Sequence, residues 1–156
     1  MQFEVAENCM TCHGLAHPGL KADDLAKMLG AGHPINTDFE LVKYSQGSVR
    51  HRHYPPDIKT NAEMTPQELA NIYVVGQAAA LVSATEAMSK SGEAKYKEAQ
   101  KKRVEIAKAG LSGISEAAGL LAAPTRQNAL SFVKSVAGKD LTGAIGSKLP
   151  AKSDYK

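Results

Sequence analysis

Cys9-Met10-Thr11-Cys12-His13 holds both cysteines of the 156-residue chain. Cys-x-x-Cys-His is the pattern of covalent c-type haem attachment. Working outward, Phe3, Ala6, Cys9 with Met10, and His13 recur at three- and four-residue spacing, which predicts an N-terminal helix carrying the motif. On such a helix Cys9 and Cys12 share a face, so their sulfurs can form thioethers with the two vinyl groups of one haem. His13, one turn beyond Cys9, then offers an imidazole nitrogen to the iron as proximal axial ligand. One motif implies one covalently attached haem c.

Other cysteine chemistries make different demands. A dithiol oxidoreductase places Cys-x-x-Cys after a strand, and no strand pattern precedes Cys9. A structural zinc site needs four ligands, so His17, His33, His51 or His53 would have to complete it. A disulfide across three residues closes a very small loop and stabilises little.

Composition points to packed helices. Hydrophobic residues make up 43% of the chain while aromatics are only 5% and Trp is absent, so an aromatic-cored β-sandwich is disfavoured and an all-α fold expected. The length suits one core plus an extension. No apolar run approaches the ~20 residues of a membrane span. Net charge is +3, unevenly spread: residues 1–88 carry 6 basic and 10 acidic groups, net −4, and residues 89–156 carry 13 and 6, net +7. The basic part is therefore expected to dock on the acidic part, to face an acidic partner, or to form a solvated helix face. Only four arginines are present, without aromatic interleaving, which argues against a nucleic-acid partner.

On the pentapeptide followed by Gly14, on Gly47 ahead of the run Ser48 to Pro56, and on Thr65-Pro66-Gln67-Glu68 opening a helix, residues 1–85 resemble the class I c-type cytochromes. In that family the attachment motif ends the first helix, a Met-Pro loop brings the distal ligand, and a terminal helix packs on the first. The resemblance implies a haem domain over 1–88 with a helical extension over 89–156. It also implies a non-enzymatic carrier of single electrons between redox partner proteins. Haem attachment in such proteins follows export, which implies a periplasmic or otherwise extracytoplasmic location. The N-terminus lacks a charged-then-apolar leader with a cleavage site, so Met1 is expected to begin a trimmed chain.

The distal ligand is where the chain departs from the family. It reads Arg50-His51-Arg52-His53-Tyr54-Pro55-Pro56, with Tyr54 where the family methionine would fall. Neutral imidazole is a strong axial donor and the proline pair stiffens the loop, so His53 is the first choice, with His51 as an alternative. Met64 also competes, although it precedes an N-cap and an N1 proline, where a residue more often staples onto the first turn, here Leu69. Met28 and His33 are more distant candidates, Met28 reading as core beside Leu25 and Leu29. Two histidines predict a low potential and a saturated iron. An open or displaceable distal site would instead make a haem sensor or gas-ligand binder. A peroxidase would use His51 or Arg52 as distal acid or charge stabiliser.

Periodicity predicts short helices over 21–29 and 38–45, then a long one from Pro66 with Leu69, Ile72, Tyr73, Gly76, Ala79 and Ala80 on one stripe. That helix continues through Leu81, Val82 and Met88 to a break at 89–92. A highly charged helix follows over 93–109, with a thin stripe of Ala94, Ala99, Val104, Ile106 and Ala107, and Gly110 to Gly113 are expected to break it. Segments 114–122, 124–137 and 141–145 read as short Ala-rich helices. They wrap the haem domain, or form a homo-oligomer interface through Leu120, Leu121, Leu130, Phe132 and Val133. Residues 148–156 are expected to fray.

Overall fold

A computed structural model describes residues 2–47 and 63–156, and every described element is helical. The centre is one long helix whose start was legible. Thr65 is its N-cap and Pro66 its first residue. The Thr65 hydroxyl accepts from the Glu68 amide at 3.3 Å while the Glu68 carboxylate accepts from the Thr65 amide at 2.7 Å, a reciprocal capping box. This helix, Pro66–Ala87, has 15 of its 22 residues buried, from Ala70 to Ala87. A helix apolar on every side has to be surrounded. We number it α4.

Four helices in particular surround it. Before it in the chain come α1 (Phe3–His13), α2 (Ala22–Gly30) and α3 (Leu41–Ser45); after it come α5 (Ala94–Leu111), α6 (Ala118–Ala122), α7 (Arg126–Val136) and α8 (Thr142–Ile145). α1, α3, α5 and α7 pack directly on α4. Small residues set the close approaches. A side chain on Gly76 would press on Leu41, 3.1 Å away, and one on Gly110 would meet Gln77 at 2.8 Å and the Tyr73 hydroxyl at 3.0 Å. The second contact corrects the expected break: α5 runs through Gly110 because only glycine lets it lie against α4 there. It ends after Leu111, and Gly113 makes the turn at φ +82°.

The inward face of α5 differs from the expected one. Tyr96, Gln100, Arg103, Ala107, Gly110 and Leu111 are buried, whereas Ile106 is 39% exposed. The apolar residues of the later segments are covered within the chain. Leu120 and Phe132 are buried, and Leu121, Leu130 and Val133 pack partly buried against the same core as Phe3 and Met10. A smaller cluster joins Leu15, Ala16, Leu25, Ala87 and Tyr96, with Met28 and Leu29 at its edge.

The C-terminus does not fray. Residues Lys152–Asp154 form a 3-10 turn, the Tyr155 ring packs on the main core, and the Lys156 amide donates to the Lys43 carbonyl at 2.9 Å. The Lys156 ammonium donates to the Tyr44 hydroxyl at 3.1 Å. A polar tail is held when an aromatic ring and its last charges all find partners on one surface. The charge asymmetry is partly met within the chain: Arg126 pairs with Glu7 and Lys152 with Glu63, both at 2.8 Å. These pairs are exposed and steer orientation more than they stabilise. No described helix is long and apolar enough to cross a membrane.

Candidate functional site

The pentapeptide occupies the second half of α1, with His13 as its last helical residue. What ends the helix there is a Schellman turn. The Ala16 amide donates to the Thr11 carbonyl at 2.8 Å and the Leu15 amide to the Cys12 carbonyl at 3.1 Å. The position that usually takes glycine holds Leu15, at φ 51°, a left-handed conformation that costs a side-chain-bearing residue roughly 1–2 kcal/mol. Such strain persists only where the surroundings over-determine it. Here they do: Leu15 is buried, and its carbonyl accepts from the Tyr96 hydroxyl at 2.8 Å.

The thiols of Cys9 and Cys12 are free, Cys9 half-buried against the core and Cys12 exposed. Burial and the neighbouring Cys12 push the Cys9 thiol above its ordinary range. A cysteine in the last turns of a helix also faces the negative end of the dipole, so neither effect favours a reactive thiolate.

The His13 ring stacks on Phe39, centroids 3.8 Å apart and planes 7° from parallel, and Phe39 leans on Tyr44 at 4.8 Å. Phe39 packs partly buried against the main core, and its neighbour Glu40 caps α3, its carboxylate accepting from the amides of Val42 at 3.0 Å and Lys43 at 2.9 Å. Burial raises the Glu40 pKa even so. Partial burial also lowers the pKa of His13, which favours neutral imidazole. Stacking covers the ring face but leaves the in-plane nitrogen lone pair open, and the His13 nitrogens take no hydrogen bond among the described residues. Two free thiols at helical spacing and one imidazole without a hydrogen-bond partner among the described residues fit a covalently bound haem.

The remaining sequence candidates are not gathered at this point. Met64 is buried, its sulfur accepts from the Gln46 amide nitrogen at 3.4 Å, and with Leu69 it lines a cavity of about 430 Å³. Gln46, Gly47, Glu63, Lys152 and Tyr155 also border that cavity, and Cys9, Cys12 and His13 are not among its described walls. His17 accepts from the Gly19 amide at 3.1 Å, and the His33 ring bonds the Pro34 carbonyl at 2.8 Å, each within its own exposed turn. Among the described residues no three His, Cys, Asp or Glu side chains converge. His51 and His53, with Arg50, Arg52, Tyr54, Pro55 and Pro56, lie outside the described residues.

Sequence reading missed the residues that back the motif. Arg103 donates to the Met10 carbonyl at 2.9 Å, Gln100 to the Gly14 carbonyl at 2.8 Å, and Ser83 to the Met10 carbonyl at 3.2 Å. A side chain on Gly14 would displace the Arg103 guanidinium, so glycine after His13 leaves room for it. The available signal was the four- and three-residue spacing of Tyr96, Gln100 and Arg103 on one helix. Comparison with protein-family models, with curated proteins and with solved structures gives no match.

Proposed function

We propose that this chain is a monohaem c-type cytochrome of class I type that carries single electrons between redox partner proteins outside the cytoplasm. The observation that carries the reading is the second half of α1, where two unpaired thiols three residues apart stand beside an imidazole without a hydrogen-bond partner among the described residues. Haem bound there would supply one-electron ferric–ferrous chemistry, and the protein supplies ligands, dielectric and a docking surface. Cys9 and Cys12 hold the group covalently. His13 would donate the proximal nitrogen, and Phe39, packed against the core, stacks on its ring and orients it. α4 and α5 keep water from the back of the attachment turn by burying Gly14, Leu15 and Ala16.

A dithiol oxidoreductase is less well supported, since Cys9 is pushed toward the neutral thiol and sits at the wrong end of its helix. The chain is read as an electron carrier rather than an enzyme, as its resemblance to the class I c-type cytochromes implies.

His53 is the proposed distal ligand, with His51 and Met64 as alternatives. Axial ligation by two imidazoles holds the potential low, whereas a thioether would raise it. Met64 already has its sulfur engaged by Gln46. His53→Ala is expected to convert the visible and electron-spin spectra from low to high spin while Met64→Ala leaves them unchanged. An unaltered spectrum in the His53 variant would exclude that ligand.

The competing reading, a sensor or gas-ligand binder with a displaceable distal site, draws on Tyr54 standing where the family methionine falls. Carbon monoxide added to the reduced protein separates the two. A saturated carrier binds it slowly and sub-stoichiometrically, and rapid stoichiometric binding at neutral pH would favour the sensor.

A further inference from the structure

The turn that follows the haem-attachment motif is gripped from behind by one face of α5. Tyr96, Gln100 and Arg103 are all buried, and they reach in order the carbonyls of Leu15, Gly14 and Met10. The grip is continuous, because Arg103 also donates to the Gln100 side-chain oxygen at 2.7 Å and lies 3.5 Å from the Ser83 hydroxyl. Every acceptor is neutral. No carboxylate among the described residues comes within ion-pair reach of the guanidinium. Burial draws its pKa down to about 10, which still leaves it charged at neutral pH.

Burying a cation without a counter-ion is among the costliest arrangements a core can hold. Part of the offset comes from the C-terminal carbonyls of α1, whose aligned dipoles present negative charge to the guanidinium. A neutral amide would satisfy the Met10 carbonyl at lower cost. The charge itself is therefore the feature that bonding alone leaves unexplained.

We infer that Tyr96, Gln100 and Arg103 form a positioning clamp for the Cys9–His13 turn, in which Arg103 holds a buried positive charge that biases the iron proposed there toward the reduced state. The inference rests on the haem reading. The ferric form carries one more positive charge than the ferrous, so a fixed cation nearby disfavours oxidation. A buried cation does so with little screening by salt. At an effective dielectric constant of about 20, a fixed unit charge close to the redox centre would bias a one-charge equilibrium by about tenfold. The clamp thus opposes the lowering of potential that two imidazoles would impose.

Redox titration of the full-length haem-loaded protein tests this with two substitutions. Arg103→Gln keeps a donor and removes the charge, and is expected to shift the ferric–ferrous equilibrium about tenfold toward ferric, about 59 mV for one electron. Arg103→Lys keeps the charge and loses the planar fork, and is expected to titrate close to the natural protein although both variants melt earlier. Coincident midpoints for Gln and Lys would overturn the electrostatic role, since a purely structural arginine moves stability alone. If the Gln variant fails to fold, Tyr96→Phe tests the clamp by amide hydrogen exchange. Gly14, Leu15 and Ala16 are expected to exchange about tenfold faster, and unchanged exchange would overturn it. If the natural chain carries no covalent haem, the functional reading falls separately, and the exchange experiment on the haem-free protein still decides the clamp.

Discussion

Ending the chain at Lys90 is expected to abolish cooperative folding, so that the remainder melts without a transition and loses much of its helical circular dichroism. The cut removes α5 to α8, and with them the buried core side chains of Tyr96, Leu111, Ile114, Leu120, Phe132, Val136, Leu141 and Ile145 as well as three buried alanines. Each burial of a large side chain contributes roughly 1.5–3 kcal/mol, against a net stability of about 5–15 kcal/mol for a domain of ordinary size. The larger damage is to what remains. α4 is buried on nearly every side and would present Val, Ala and Leu side chains to water where α5 and α7 now lie. The carbonyls of Met10, Gly14 and Leu15 would also lose their α5 donors, leaving Leu15 strained without support. Residues 1–88, read from sequence as a haem domain, share their hydrophobic core with residues 89–156. A sharp melting transition with near-native helix content in the truncated chain would show that the shared core is dispensable.

Replacing both Cys9 and Cys12 with serine is expected to abolish the proposed covalent haem attachment while leaving the fold in place. Neither thiol makes a disulfide, and Cys12 is exposed. Cys9 is only half-buried, so a serine hydroxyl there costs about 1 kcal/mol or less. The helix keeps its Schellman end and its α5 clamp, none of which uses sulfur. Any haem still bound through His13 would leave the chain on denaturation. Loss of the fold in the double variant, with or without haem, would instead mark the thiols as structural.

Much of the frame was legible. Phe3, Ala6 and Met10 keep helical spacing because one face of α1 is buried, and Thr65-Pro66-Gln67-Glu68 announces α4 because the cap and the N3 carboxylate satisfy each other locally. Local chemistry of this kind is written in neighbouring residues. The inward face of α5 was not legible, since Tyr96, Gln100 and Arg103 form a stripe that is buried yet polar, and hydrophobic periodicity is blind to it. Only the position of the Met10, Gly14 and Leu15 carbonyls makes those side chains belong inside. The docked tail escaped for a related reason: Lys156 finds Lys43 and Tyr44 across more than a hundred residues of sequence. Phe39 carried no motif at all, and its role beside His13 emerges only from the stacked rings. The histidine pair proposed for the distal side, His51 and His53, falls outside the described residues and rests on sequence alone.

Acid-acetone extraction of the matured full-length protein tests the central claim most directly. The pigment is expected to precipitate with the polypeptide, whose intact mass then exceeds the chain mass by one haem. A colourless precipitate with haem in the supernatant, or a protein without haem absorbance after maturation, would contradict attachment through Cys9 and Cys12.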